Sequence, residues 1–465
     1  LRTEIVLIVP YNKSHYVVPP VGLGYLATSL RASGYDSIKI LDCIKEQLPP
    51  SKLGRALEVL DPKMVGFQIF SADFASARES MGVAKAAVPK AVMIAGGPHV
   101  SATGTRALDE MPVLDYAFVG EAEMGLPMLV DRVVAGKKID FHDMPGLMWR
   151  NEKGSHSSPR TYIKDLDGLG FPAWDLMPPD SYPDAPQGAF YQQFPIAPIA
   201  TSRGCPYSCA FCGSPVNMGK QLRFRSLPHV FAEMELLRST YRVKEFHFID
   251  DMFNMSKKRV MDFCHMLEQK RWGISYSFPN GLRLNTLDRE MLIAMKKTGA
   301  YAFTVGIESG SQRVLDLMNK HLTVDLIKEK VNLIDDVGLE PSGFFLLGFP
   351  GETKEEMRMT LDLAKSLPLK RAHFSNFLPL PGTEATNRLL ESGEIQNPDW
   401  TTLCYSKVPY VPMGMTREDL KAFQRRAFLE FHLRPKILVK LLSEIKSPFH
   451  LLSVIRRARD YLFSR

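Results

Sequence analysis

The chain has 465 residues, 58 Lys and Arg against 51 Asp and Glu, a formal charge of +7 and 45% apolar residues. That length implies two or three domains with sizeable cores, and the composition excludes a disordered chain. Six cysteines in so long a chain, with no secretory signal, exclude a disulfide framework, and no apolar run approaches the roughly 18–20 residues that cross a bilayer.

Residues 1–140 alternate short β-rich runs with helical patterns, the pattern of a parallel sheet covered by helices. Strands are expected at TEIVLIV, SIKILD, MVGFQIF, AVMIAGG and LDYAFVG, which predicts an α/β, doubly wound, flavodoxin-like (Rossmann-like) domain. Ligands of such domains bind beyond the carboxyl ends of the strands, where this sequence carries VVPPVGLGYL, IFSADF, AGGPH and GEAE. Loops of this kind let backbone approach a large planar or phosphate-bearing ligand, and ordinary tight turns look the same. Residues 141–190 read as a hairpin across GLMWRNEKGSHSSPRTYI followed by a Pro-rich linker.

From residue 191 to 390 the βα rhythm is regular, with strands expected at IAPIAT, EFHFID, SYSFPN, AFTVGI, GFFLLG and AHFSNF. Six βα units predict a partial (β/α)6, TIM-like barrel whose chemistry lies at the strands' carboxyl ends. After the first of these strands comes TSRGCPYSCAFCGSP, in which Cys205, Cys209 and Cys212 are spaced C-x3-C-x2-C. Three close thiolates suit three irons of a [4Fe-4S] cluster and leave the fourth iron open for a chelating ligand. A structural zinc site would want a second pair of ligands, and Cys43, Cys264 and Cys404 are scattered singly.

Together with FIDDMF, GIESGSQRVL and LLGFPGET, the cysteine loop resembles the radical S-adenosylmethionine enzymes over residues 195–385. PPVGLGYLATSLRASGY, GGPHVSATG and VGEAE resemble the cobalamin-binding domain joined to that barrel in one subfamily. That subfamily contains methyltransferases of unactivated carbon, hopanoid-modifying enzymes and the anaerobic porphyrin-ring cyclase. The resemblance implies Cys205, Cys209 and Cys212 as cluster ligands, and Phe211, Asp250 or Asp251, Gly306, Glu308, Leu347 and Gly348 around S-adenosylmethionine. It implies Pro20, Gly22, Phe70, Ser71, Gly96, Gly97, His99, Gly120 and Glu121 near cobalamin. The D-x-H-x-x-G cobalt-ligand pattern is absent, DFHDMP carrying Pro145 where glycine is required, so cobalamin is expected without a protein histidine on cobalt. The lower face would meet Phe70 or Ser71, and His99 is either a corrin-edge contact or a surface-loop histidine.

The activity implied is methyl transfer from S-adenosylmethionine, by way of cobalamin, to an unactivated carbon through a 5'-deoxyadenosyl radical. The alternatives are an oxidative cyclase or rearrangement enzyme, and a non-catalytic cobalamin or redox sensor. Implied partners are a small-molecule or lipid-like substrate and a one-electron donor such as flavodoxin or ferredoxin, in the cytoplasm, with no nucleic acid. Cys404 is a candidate hydrogen donor near the barrel mouth, or a small buried apolar residue. Residues 391–465 are expected to be mostly helical, and 416–465 carry 12 Lys and Arg against 5 Asp and Glu. This basic region reads either as a contact for anionic membrane or as a solvated helical face packed on the barrel.

Overall fold

The structure, a computed structural model, describes residues 4–12, 17–184, 190–403 and 407–463. Ile5 to Ile8 are almost wholly buried, which suits an interior strand of a parallel sheet covered on both faces. They form β1 (Ile5–Val9), flanked by β2 (Ile38–Asp42) and β3 (Met64–Gln68), with β4 (Val92–Gly96) and β5 (Tyr116–Phe118) beyond. All five are parallel in the order β2-β1-β3-β4-β5, the flavodoxin-like order expected. Alternation sends Ile5 and Leu7 into one core with the Val21–Ala32 helix, and Val6 and Ile8 into a second with the Pro50–Leu60 and Phe74–Ala87 helices.

The hairpin placed in the 141–190 connector is β6 (Leu147–Asn151) and β7 (Gly154–Ser157), and it belongs to this first sheet. β6 pairs antiparallel with β5, Phe118 opposite Leu147 and Tyr116 opposite Trp149, covering an edge that would otherwise expose unpaired backbone.

The barrel strands are β8 (Ile196–Ile199), β11 (Glu245–Phe248), β12 (Ser275–Ser277), β13 (Ala302–Glu308), β14 (Glu340–Leu347) and β15 (Arg371–Asn376). Between β8 and β11, β9 (Ser202–Arg203) and β10 (Arg223–Phe224) form a two-residue antiparallel ladder. The six long strands are parallel in the order β8-β11-β12-β13-β14-β15, with β12 and β13 linked by the bridges Tyr276–Ala300 and Leu282–Val305. Pro198 lacks an N–H and sits in β8, an edge strand whose hydrogen-bonded neighbour is β11 alone. Phe303, Val305, Ile307, Phe345 and Leu347 join the main core, so the alternate residues Thr304, Gly306, Glu308, Phe344 and Leu346 turn to the other face.

The gap between β15 and β8 is covered by C-terminal helices Arg417–His432, Pro435–Ser443 and Pro448–Phe463. Gln424 Nε2 donates to the free-edge carbonyl of Phe374 at 2.8 Å, Tyr461 Oη donates to the same oxygen, and Arg371 pairs with Glu444. The His450 ring lies 5.7 Å from that of Phe190, just before β8. Trp400 and Leu403 pack back into the second core of the first domain. The inner side of the basic region is thus packed on the barrel. Among the described residues no helix is long and apolar enough to cross a membrane.

Candidate functional site

The cysteine loop leaves β9 and returns to β10, so the ladder of Arg203 against Arg223 closes its base. Its crown is pinned by backbone contacts, Ala210 N to Met318 O and Ala385 N to Ala210 O, both 2.8 Å. Asn319 Nδ2 adds a 2.9 Å bond to Ser208 O. Cys205, Cys209 and Cys212 are free and partly exposed on this rigid turn. Burial pushes the Cys205 thiol up to about 11, helped by negative charge on Cys212, Asp251 and Cys209. Burial raises Cys212 as well, with Cys209 and Asp251 adding to it. Cys205 and Cys212, whose thiols resist ionisation, need a cationic centre to become thiolates, and the irons of a cluster would supply it. Among the described residues no three potential ligands converge on one ion; in a cubane each thiolate takes a different iron, so the donor set fits a cluster.

Two cations that sequence reasoning missed complete the surroundings. Arg283, after β12, lies with its guanidinium 3.6 Å from the Tyr207 ring centre and Nη1 3.9 Å from Cys209 Sγ. Lys320, after β13, donates to Glu308 Oε1 at 2.6 Å and sits 5.6 Å from the centre of the Phe211 ring. Burial alone would lower the Lys320 ammonium, but the charges of Glu308 and Cys209 outweigh it and raise it. Both residues follow barrel strands, where chemistry is expected, and that position was the available signal.

Glu308 is 8% exposed and holds a left-handed backbone with φ of +67°, next to a register shift between β13 and β14. Such a conformation in a non-glycine residue costs about 1–3 kcal/mol and is retained where the surroundings over-determine it. Gly306 makes the Glu308–Lys320 pair sterically feasible, because a Cβ there would lie 2.5 Å from Glu308 Oε1 and 2.7 Å from Lys320 Nζ.

The acidic pair divides its roles. Asp250 is 3% exposed and accepts from Thr201 N, Thr201 Oγ1 and Ser202 Oγ, so it ties down the end of β8 instead of presenting a carboxylate to a ligand. Asp251 accepts from Ser214 Oγ at 2.8 Å and is the member whose charge reaches both Cys205 and Cys212. Leu347 is fully buried on the outer face of β14, whereas Leu346, like Phe211, packs against a small apolar core around Ala210, Met318 and Phe377. Gly348 receives the Leu420 side chain, 2.9 Å from where its Cβ would be, so the Arg417–His432 helix covers that strand end. Cys404 lies outside the described residues.

At the carboxyl edge of the first sheet, Pro20 precedes the Val21–Ala32 helix and Gly22 is exposed, 3.3 Å at its Cβ position from Gln68 Nε2. Phe70 is 45% exposed and presents an apolar plate, while Ser71 is buried. His99 is neither a surface residue nor an edge contact. The Pro98–Thr103 helix turns it inward, where it has no exposure, stacks on Phe74 at 4.1 Å, and has Nδ1 3.1 Å from Ser71 Oγ. Gly97, with φ of +102°, would place a Cβ 2.9 Å from Ile69 O, so it serves the approach of two sheet loops. Gly96 has ordinary contacts with Phe118, and Gly120 N donates to Ser101 Oγ at 2.9 Å. His142 stands edge-on to Trp149 in the hairpin. Among the described residues the edge offers one exposed aromatic plate, Phe70, against which a corrin face could lie.

Glu121 turns away from this edge into the second domain. Its carboxylate pairs with Arg203 at 3.1 Å and Arg223 at 2.8 Å, and Glu123 pairs with Arg203 at 2.7 Å, with every side chain at most 11% exposed. Burial would raise the Glu121 carboxyl, but the Arg223 hydrogen bond and the Arg203 charge hold it below its ordinary value. Arg160 extends the seam, donating to Val216 O at 2.6 Å and Ser101 O at 3.0 Å. The base of the cysteine loop is thereby tied to the first domain's carboxyl edge.

A cysteine loop after the first of six parallel strands, tied to the carboxyl edge of a doubly wound domain, defines a radical S-adenosylmethionine barrel with a cobalamin-type partner domain. The Radical SAM superfamily model matches residues 199–364 and the B12 binding domain model residues 9–130. The chain is 31% identical, over 92% of its length and 90% of the relative, to an uncharacterized methyltransferase of Pyrococcus horikoshii. It is 28% identical to cytidylyl-2-hydroxyethylphosphonate methyltransferase of Streptomyces wedmorensis, over 80% of this chain and 78% of that one. With the anaerobic magnesium-protoporphyrin IX monomethyl ester cyclase of Cereibacter sphaeroides it shares 26% identity over 90% of this chain and 67% of that one. In fold it is similar to the cobalamin-dependent S-adenosylmethionine radical enzyme OxsB, with TM-score 0.76 at 14% identity, covering 98% of this chain and 71% of that one. The radical methyltransferase TsrM from Kitasatospora setae gives 0.68 at 21% identity, covering 84% and 75%. The chain belongs to the cobalamin-binding-domain family of radical S-adenosylmethionine enzymes.

Proposed function

We propose that this enzyme transfers a methyl group from S-adenosylmethionine, by way of cobalamin, to an unactivated carbon of a small-molecule substrate. The observation that carries the reading is the buried Glu121–Arg203–Arg223 seam, which holds the cysteine loop against the edge where cobalamin would lie. The cofactors are a [4Fe-4S] cluster, S-adenosylmethionine and cobalamin; when bound, they supply a hydrogen-abstracting 5'-deoxyadenosyl radical and a transferable methyl group. The chain's own part is to bind, orient and exclude water. Cys205, Cys209 and Cys212 would hold the cluster, and Asp251, Glu308 and Phe211, spaced by Gly306, would orient S-adenosylmethionine by charge, hydrogen bonds and ring contact. Phe70, with Pro20, Gly22, Gly96 and Gly120, would form the cobalamin face. A one-electron donor of the flavodoxin or ferredoxin kind and a reducing cytoplasm complete the proposal, since a thiolate-held cluster with an open iron is oxidised in air. The apolar, basic C-terminal helices favour a lipid-like substrate.

A second reading, radical ring closure without methyl transfer, is favoured by the 26% identity to the magnesium-protoporphyrin ester cyclase. Anaerobically reconstituted full-length enzyme, given reductant, cobalamin and candidate substrates, separates them. Methyl transfer yields S-adenosylhomocysteine, 5'-deoxyadenosine and a methylated product. Substrate turnover without S-adenosylhomocysteine selects the cyclase-type reading. Cleavage of S-adenosylmethionine that survives replacement of Cys205, Cys209 and Cys212 by Ala overturns both.

A further inference from the structure

Nine of the eighteen exposed large apolar side chains among the described residues lie between 433 and 461, all but Leu433 in the last two helices. Leu438, Val439 and Leu442 share one face of the Pro435–Ser443 helix, and Phe449, Leu452 and Ile455 form a stripe on the Pro448–Phe463 helix. Phe449 is 84% exposed and Val439 68%. This is no sign of loose docking, because the same helices bury Ile437 and His450 against the barrel and anchor Tyr461 to Phe374. Each helix is therefore two-sided, with one side holding the barrel edge and the other a row of large apolar groups in water. Basic residues border that row. Between residues 433 and 463 there are seven Lys and Arg against two Asp and Glu, and Lys436, Arg456 and Arg459 are exposed, whereas Lys446 reaches back to Gln192 O.

We propose that this pair of helices is a membrane-docking face that lies in the surface of an anionic phospholipid bilayer. An amphipathic helix with an apolar stripe and flanking cations partitions to the headgroup boundary without spanning it, in keeping with helices too short and too charged to cross. Charge decides between a bilayer and a second copy of the chain. A symmetric dimer through this patch would set the same excess of positive charge against itself, whereas anionic lipid neutralises it. The inference stands on the C-terminal helices alone and is independent of the reaction catalysed.

The test is flotation of the full-length protein with vesicles of phosphatidylcholine, or of phosphatidylcholine mixed with phosphatidylglycerol, followed by Phe449→Glu, Leu452→Glu and Arg456→Glu variants. The exposed positions leave the fold intact, which far-ultraviolet circular dichroism checks. Wild type is expected on anionic vesicles and in solution with neutral ones, with binding weakened by salt. Arg456→Glu is expected to lose about fivefold or more, following the contribution of a single basic residue near such a surface. Wild type that ignores anionic vesicles, or variants that float as well as wild type, overturns the proposal. So does sedimentation showing a wild-type dimer that Leu452→Glu dissociates without any vesicle binding, which would make the face a subunit interface.

Discussion

Deleting one charge of the interdomain seam should cost far more than deleting a matched pair. Glu121→Gln leaves Arg223, with a side chain 4% exposed, without a carboxylate, and leaves Arg203 with Glu123 alone. Removing one partner of a buried ion pair costs about 3–5 kcal/mol, because the other charge stays desolvated. Arg223→Met leaves Glu121 with Arg203 and the Ile163 N–H, and falls in the same range or just below it. The double variant takes both charges out, so its cost should fall below that of either single variant, short of the sum by about 3 kcal/mol or more. Urea unfolding gives the four corners of the cycle, and hydrogen exchange of peptides from residues 201–225 reports whether the loop base opens. Single costs that add to within about 0.5 kcal/mol would refute the coupling. The pH dependence has a definite sign. The folded Glu121 carboxyl titrates below its unfolded value, so its stabilisation is fully present above about pH 4.3 and is lost as pH falls through the lower folded pKa. In turnover, loosening the seam should lower the yield of S-adenosylhomocysteine per 5'-deoxyadenosine more than it lowers cleavage itself.

Gly306→Ala drives a methyl group against both Glu308 and Lys320 and should weaken S-adenosylmethionine binding about 10- to 100-fold, as expected for a lost charge-assisted hydrogen bond. Equilibrium dialysis at unchanged iron content measures this, and unaltered affinity would remove Glu308 from the site. Lys320→Met takes a cation from beside Cys209 and should make the cluster harder to reduce, seen as a more negative midpoint potential in an EPR-monitored titration. Phe70→Glu should abolish cobalamin retention on gel filtration. His99→Ala should leave the absorption spectrum of retained cobalamin unchanged while lowering the unfolding midpoint, because the ring is stacked inside the domain; a shifted cobalt spectrum would contradict that placement.

The elements legible in the sequence are those specified by local pattern. Buried parallel strands require continuous apolar runs, so IVLIV and its counterparts announced both sheets, and β8 could carry Pro198 because it is an edge. The cysteine triad was equally plain, since its ligands fall within eight residues on one loop. Side-chain direction at that site was not legible. Asp250 and Asp251 are adjacent and chemically identical, and only the closeness of Thr201 and Ser202 to one and Ser214 to the other separates them. Leu346 and Leu347 differ by the half-turn of a strand, which the apolar run GFFLLG does not reveal. His99 and Glu121 sit in loops that suggest a ligand, yet their partners are Phe74 within the domain and Arg203 and Arg223 about 80–100 residues away. Sequence by itself determined the two folds and the cluster loop, because these depend on periodicity and spacing, and its motifs carried the resemblance to the family. Tertiary structure decided which carboxylates face the cysteines, which bind the domains together and which helices keep an apolar side in water, because each depends on partners that meet only when distant segments pack.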